Sequence, residues 1–320
     1  MRHNIVPTER NADKVKLDHK TNSIVKIHTI DLKFQGLSDN IAAFLVETSS
    51  GPVLVETGPH STLPNLQAGI EAAGFNIEDV KHVFITHIHL DHAGAAWWFA
   101  QQGATVYVHP RGSKHLASPE RLMESARRIY QDQMDALWGQ MNPIDASLIR
   151  EVAHGEEITF GDTTVIAHHT PGHAVHHIAW QIDDVIFTGD VAGVRINKGI
   201  IIPPCPPPDI HIGDWENSIQ LLKQLSPSTL YLTHFGPVPY SEAHLDDLQQ
   251  RLHMWANWIK PHYKAERSIM EVTPEFQQMV AEDMIAKGIG EDERNKYEAA
   301  NPSWMSVAGL FRYWKKQEQQ

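Results

Sequence analysis

A chain of 320 residues, 42% of them hydrophobic, is long enough for one large domain or a domain with an appendage, and it holds enough apolar material for a sizeable core. Its 39 acidic against 27 basic residues leave a net charge of -12, with no basic patch larger than a pair such as Lys315 and Lys316, so nucleic acid is not an expected partner. A lone cysteine, Cys205, rules out an internal disulfide; the polar N-terminus lacks a secretory apolar stretch, and no window reaches the ~20 apolar residues of a membrane span, so a cytoplasmic protein without membrane partners is expected.

In chain order, residues 1–22 read as a polar arm. Short runs rich in β-branched residues then predict strands at Ile24–Ile27, Ile41–Val46 and Val53–Val55, the last two joined by the Gly51-Pro52 turn. Leu63–Ala73 has helical spacing and stops at Gly74. Val80–Ile85 predicts a strand, Asp91–Gln102 a helix ending at Gly103, and Thr105–Val108 another strand. Pro119–Met141 predicts one long amphipathic helix, within an insert spanning about 112–150. Four strands follow at Glu157–Phe160, Thr164–His168, His177–Ile182 and Val185–Phe187, then a Pro-rich loop, Ile202–Pro208. Asp214–Leu225 reads as a helix capped by Asp214, and Thr229–Thr233 as a last strand. After Gly236-Pro237 only helices are expected, at Glu242–Lys260, Pro274–Lys287, Glu291–Ala300 and Ser306–Lys315. The expected organisation is an α/β core over 23–240 and a helical extension over 241–320.

The strongest chemical signal is Thr86-His87-Ile88-His89-Leu90-Asp91-His92-Ala93-Gly94, placed between an apolar strand and a helix. His87 and His89 are two apart, so an extended backbone puts both on one face, and Asp91 and His92 follow where the chain turns. Solvent-facing polar residues, with Asp91 as a helix cap, are the plain alternative. Against it, three histidines and a carboxylate packed so closely are poorly served without a cation, and three more candidates stand at strand ends: His173 in Thr-Pro-Gly-His, Asp190 in Phe-Thr-Gly-Asp and His234 in Leu-Thr-His-Phe-Gly.

In this order the motifs resemble the metallo-β-lactamase superfamily, over about residues 40–240. The resemblance implies a four-layer αββα sandwich, here with a C-terminal helical appendage. It implies that His87, His89 and His173 hold one metal ion and Asp91, His92 and His234 a second, with Asp190 bridging. Two divalent ions are therefore expected, zinc first, although iron and manganese accept the same ligands. Many members carry Asp-Thr-Gly where this chain has Glu56-Thr57-Gly58, so Glu56 is expected close behind the ligands. The run from Pro171 to His177 is similar to the Pro-Gly-His pattern of glyoxalase II-like members, and His177 is expected as a supporting hydrogen-bonder rather than a ligand.

Two such ions share a water, lower its pKa and supply hydroxide without a side-chain nucleophile. Asp91 is the candidate catalytic residue, orienting the water and carrying a proton to the leaving group. The leading expectation is thus a hydrolase of a small ester, thioester or lactone, similar to glyoxalase II-like and lactonase-like members. A mononuclear iron oxidoreductase of the persulfide dioxygenase kind is the alternative. A flavodiiron protein would need a flavin domain, and a β-lactam-degrading role fits poorly with the missing signal and with a second site free of cysteine. A nuclease conflicts with the charge, and a non-catalytic binder conflicts with seven retained ligands.

Cys205 has no neighbouring base to make it a thiolate, so catalysis by it is not expected. His168 and His169 are expected to be surface or packing residues. Trp97 and Trp98 read as core, whereas Tyr130 and Trp138 on the insert are candidates for a substrate lid or a subunit surface. The apolar run Asn301–Trp314 is expected to dock on the core or on the neighbouring copy in a homodimer.

Overall fold

A computed structural model describes residues 25–319. The polar arm expected over 1–22, and the first residue of the first expected strand, Ile24, lie outside them. The first described strand is β1 (Ile27–Asp31), followed by β2 (Ala42–Thr48), β3 (Gly51–Val55), α1 (Leu63–Ala72) and β4 (His82–Phe84). Then come α2 (Leu90–Ala93), α3 (Ala96–Gln101), β5 (Thr105–Val108), α4 (Pro110–Ala117), α5 (Glu120–Tyr130), α6 (Met134–Leu137) and β6 (Ile149–Glu151). The second half holds β7 (Glu157–Phe160), β8 (Thr163–His169), β9 (Ile178–Ile182), β10 (Val185–Gly189), α7 (Ile212–Leu225), β11 (Thr229–Leu232) and β12 (Gly236–Pro239). Four helices close it: α8 (Glu242–Lys264), α9 (Ile269–Ala286), α10 (Glu291–Ala300) and α11 (Ser303–Gln317).

The strands form two six-stranded sheets, in the orders β1 to β6 and β12 to β7. Side chains alternate across a strand, and in the inner strands both faces are covered, which is why those strands read as apolar runs rather than as alternating patterns. On β2, Ala42, Phe44 and Val46 point between the sheets while Ala43 and Leu45 point to the first helical layer. On β9 and β10, Trp180 and Phe187 point between the sheets while Ala179 and Ile186 face the second helical layer. The result is the four-layer αββα sandwich, and its last helices share one apolar core with α7 through Trp215, Trp255, Phe276, Val307 and Leu310.

Several local expectations are corrected. Asp91–Gln102 is two helices, because Ala95 N donates to Gly58 O, 3.0 Å away, and leaves the helical ladder. The expected long helix over Pro119–Met141 ends at Tyr130: Gln131 takes a positive φ of 46°, and Trp138 stacks on Phe34 with ring centroids 5.3 Å apart. The cap of α7 is His211, whose Nδ1 accepts from Asp214 N at 3.1 Å, so Asp214 lies inside the first turn. The short edge strands β6 and β12 were not expected from the sequence; Gly236-Pro237 opens a strand rather than closing the sheet. Pro274 lies within α9, one turn after a capping box at Ser268 and Glu271.

Candidate metal centre

Five strand ends supply the site. The parallel pairs β3–β4 and β10–β11 bring their C-terminal ends to one edge of the sandwich, and the turn after β8 joins them. Glu56 follows β3, the stretch His87–His92 follows β4, His173 follows β8, Asp190 follows β10 and His234 follows β11. The turn that presents His173 depends on Gly172, at φ 138°, where a Cβ would strike the backbone of Trp215.

The seven candidate ligands converge. His87 Nε2 lies 2.9 Å from His89 Nδ1 and 3.2 Å from His173 Nε2, and the latter two atoms are 3.1 Å apart. His92 Nε2 lies 3.6 Å from Asp91 Oδ2 and 3.4 Å from Asp190 Oδ1. His234 Nε2 is 3.5 Å from each of those two oxygens. The other Asp190 oxygen, Oδ2, is 3.2 Å from His173 Nε2. One carboxylate therefore turns one oxygen to each donor set.

The residues fit metal ions on grounds independent of their spacing. His173 Nδ1 pairs with Pro204 O at 2.8 Å and His234 Nδ1 with Asn40 O at 2.8 Å. A carbonyl only accepts, so each Nδ1 carries the proton and each Nε2 presents a lone pair to the centre. The Thr86 hydroxyl sits 3.0 Å from His87 Nδ1, where it can accept that proton and orient the ring. Three imidazole nitrogens with lone pairs turned on one another cannot all be satisfied mutually, whereas one cation about 2.0–2.1 Å from each satisfies all three. Both nitrogens of His92, together with Asp190 Oδ1, are buried without a hydrogen-bond partner, a cost a bound ion would remove.

Electrostatics divides the cluster. Burial, then the neighbouring rings, holds His87 well below the ordinary imidazole range, and burial followed by His173 brings His89 down to about 3. Those rings stay neutral and able to coordinate through neutral pH. Burial opposes charge on His92 too, but Asp190, Asp91 and Glu56 outweigh it and raise its pKa well above the ordinary value. Burial alone would raise Asp91; His92 and His234 overcome it and set its carboxyl at about 2.

Glu56 and His177 stand directly behind the cluster. Glu56 Oε1 accepts from Thr86 N at 3.1 Å, and Oε2 lies 3.2 Å from His92 Nδ1, without hydrogen-bond alignment. His177 Nδ1 meets the Thr170 hydroxyl at 2.8 Å, and its Nε2 accepts from Asp190 N at 3.3 Å. Cys205 is fully buried and burial pushes its thiol up, which argues against a nucleophile. His168 pairs with Gln181, and His169 packs against His109 with the rings tilted by 41°, both outside the ligand set. The supports that sequence reasoning missed are Thr86 and the carbonyls of Asn40 and Pro204. A hydroxyl next to a motif histidine was a usable signal; the two carbonyls had none.

A cavity of about 1,020 Å³ opens onto His89, Asp91 and Asp190. The insert lines it with Tyr130 and Trp138, and the C-terminal helices with Trp304 and Met305. The apolar C-terminal run thus docks on its own chain's core and forms part of this wall: Asn301 Nδ2 donates to Pro203 O at 3.4 Å, and Tyr130 Oη to Met305 Sδ at 3.4 Å.

A sequence profile described as the metallo-beta-lactamase superfamily matches residues 38–234. The metallo-beta-lactamase fold-containing protein ST1585 of Sulfurisphaera tokodaii is 32% identical over 169 residues, covering 51% of this chain and 63% of that protein. The probable metallo-hydrolase YqjP of Bacillus subtilis is 22% identical over 210 residues, covering 59% of this chain and 66% of that protein. The chain thus spans a little under two thirds of the length of each of these relatives. Among solved structures, the metallo-beta-lactamase family protein TTHA1429 of Thermus thermophilus shares the fold, with a TM-score of 0.63 at 18% identity over 92% of this chain and 94% of that one. The ST1585 structure superposes with a TM-score of 0.59 at 24% identity, over 71% of this chain and 85% of that one.

Proposed function

The chain belongs to the metallo-beta-lactamase superfamily, and from that premise we propose that it is a metal-dependent hydrolase that cleaves an ester, thioester or lactone in the cavity above the His/Asp cluster. The observation that carries the reading is the division of Asp190: one oxygen faces the His173 side and the other faces His92 and His234. His87, His89 and His173 would hold one divalent ion, and Asp91, His92 and His234 the other, with zinc the first choice and iron or manganese compatible. Such ions, when bound, lower the pKa of water and polarise a carbonyl.

The chain's own groups do the rest. Asp91 is held as a carboxylate and lines the cavity, so it can accept a hydrogen bond from the attacking water and orient it toward the acyl carbon. As the new carbon–oxygen bond forms and the bond to the leaving oxygen or sulfur breaks, Asp91 takes the water proton and passes it to the leaving group. Glu56 keeps the loop over Thr86–His92 in place, and His177 fixes the backbone of Asp190.

The test is metal analysis of the purified protein, combined with thioester, lactone and aryl ester assays with and without chelator. Two ions per chain and turnover that chelator abolishes and divalent metal restores are expected. Turnover insensitive to chelator, or none on the whole panel, overturns the reading. One iron per chain with oxygen uptake on a persulfide would favour a mononuclear oxidoreductase instead; the complete second donor set supports the hydrolase.

A further inference from the structure

Resting on that reading, we propose that the cavity selects an uncharged substrate, an ester or lactone with an apolar acyl chain, and rejects anionic acyl compounds. The first argument is charge. No lysine or arginine is among the described residues lining the 1,020 Å³ cavity, while Asp132 and Glu298 add negative charge to its walls beyond the metal cluster. Two basic side chains beside the lining are engaged elsewhere: Lys296 with Asp39 at 2.9 Å, and Lys316 with Pro208 O at 2.8 Å. A carboxylate or phosphate carried by the substrate away from the metal cluster would lose its hydration there with no lysine or arginine among the described lining residues to replace it. Glutathione thioesters, coenzyme A thioesters and β-lactams all carry such groups.

The second argument is shape and polarity. Phe34, Trp138, Tyr130 and Trp304 come from the loop after β1, the insert and the appendage, and their rings form one continuous wall. Tyr130 lies with its centroid 5.1 Å from that of Trp138 and 6.1 Å from that of Trp304. Leu122, Ile129 and Leu137 continue the apolar surface. The wall does not select a cation through Glu298, because both carboxylate oxygens are committed to the start of α11, to Ser303 N at 2.9 Å and Ser303 Oγ at 2.7 Å. A volume of this order holds a drug-sized molecule. The occupant that matches such a wall is an uncharged hydrocarbon chain.

The test uses the metal-loaded full-length protein and 4-nitrophenyl esters of acetate, butyrate, hexanoate and octanoate, with the 4-nitrophenyl monoester of octanedioic acid as the matched anion. The kcat/KM is expected to rise about threefold or more per added methylene, mostly through KM, and the terminal carboxylate to lower it at least about a hundredfold relative to octanoate. Ile129→Arg should recover at least about tenfold of that loss, since it places a cation on the cavity wall. Trp138→Ala should lower octanoate turnover about tenfold more than acetate turnover. Turnover that ignores chain length, or an octanedioate ester cleaved as well as octanoate, overturns this inference and leaves the hydrolase reading standing. A titration of tryptophan fluorescence with octanamide and its ω-carboxylate analogue separates the two claims. Binding of octanamide alone, with no ester turnover, sinks the hydrolase reading and keeps the cavity assignment; equal binding of both sinks the cavity assignment.

Discussion

The metal cluster and the cavity wall lie side by side but are built on opposite plans. The ligand candidates stand in the turns that follow strands or, for Asp91 and His92, in the short helix α2 that continues one, and the rings are held by backbone carbonyls, a hydroxyl and carboxylates from the sandwich. The wall is made by helices and loops far apart in the chain, residues 122–138 and 295–305, which meet only because both pack beside the same edge. The difference teaches where each property resides: the donor geometry is a property of the sheets, and the choice of substrate a property of the appended helices. Changes to the first should stop turnover, and changes to the second should shift KM.

The largest expected effect comes from Asp91. Asp91→Asn keeps the size but removes the base, so kcat should fall about a thousandfold, checked by steady-state kinetics beside metal analysis of the same sample. Glu56→Gln keeps an acceptor for Thr86 N while removing the charge beside His92, and should cost about ten- to a hundredfold in metal affinity or activity, measured by competition with a chelator. If Glu56→Gln proved as damaging as Asp91→Asn, the line between ligand set and support would have to be redrawn.

In the appendage that carries part of the wall, Gly309 of α11 lies against the Cys205 carbonyl, and a Cβ there would overlap it. Gly309→Ala should destabilise the docked appendage by about 2 kcal/mol and raise KM several-fold with kcat little changed, read from a thermal melt and kinetics. A fall in kcat alone would show that the appendage reaches the chemistry.

The smallest effect is a pH slope. His109 Nδ1 caps α4 by accepting from Arg111 N at 3.0 Å, which requires the neutral ring. Burial, then His169 and Arg111, lowers its pKa to about 4 from 6.5. Between those values the unfolded chain binds more protons than the folded one, so stability rises with pH across that window and is lost as pH falls through it. His109→Asn keeps a cap acceptor without titrating, so its melting temperature should depend less on pH between 4 and 6.5 than that of the wild type. An unchanged slope would count against the cap.

Much of this was legible in the sequence for physical reasons. Strands buried on both faces are short apolar runs, and a turn at a strand end needs glycine or proline beside the residue it presents, so His173, Asp190 and His234 stood out. Glu56 was placed behind the ligands by resemblance, and the structure shows how its longer side chain reaches both Thr86 N and His92. The insert was misread as one helix because its amphipathic spacing continues past Tyr130, while the packing of Trp138 on Phe34 breaks it.

By itself the sequence determined the strand runs, the turns and the candidate donor residues, because strand periodicity, turn chemistry and donor type are local and survive in one dimension; the sandwich was implied by the family that the order of those motifs resembles. Only the tertiary structure decided that Asn40 and Pro204 carbonyls set the ring tautomers, and that the insert and the last helices close a cavity with no lysine or arginine among its described lining residues. A backbone acceptor has no side-chain signature, and a wall assembled from segments more than 150 residues apart is a matter of non-local packing.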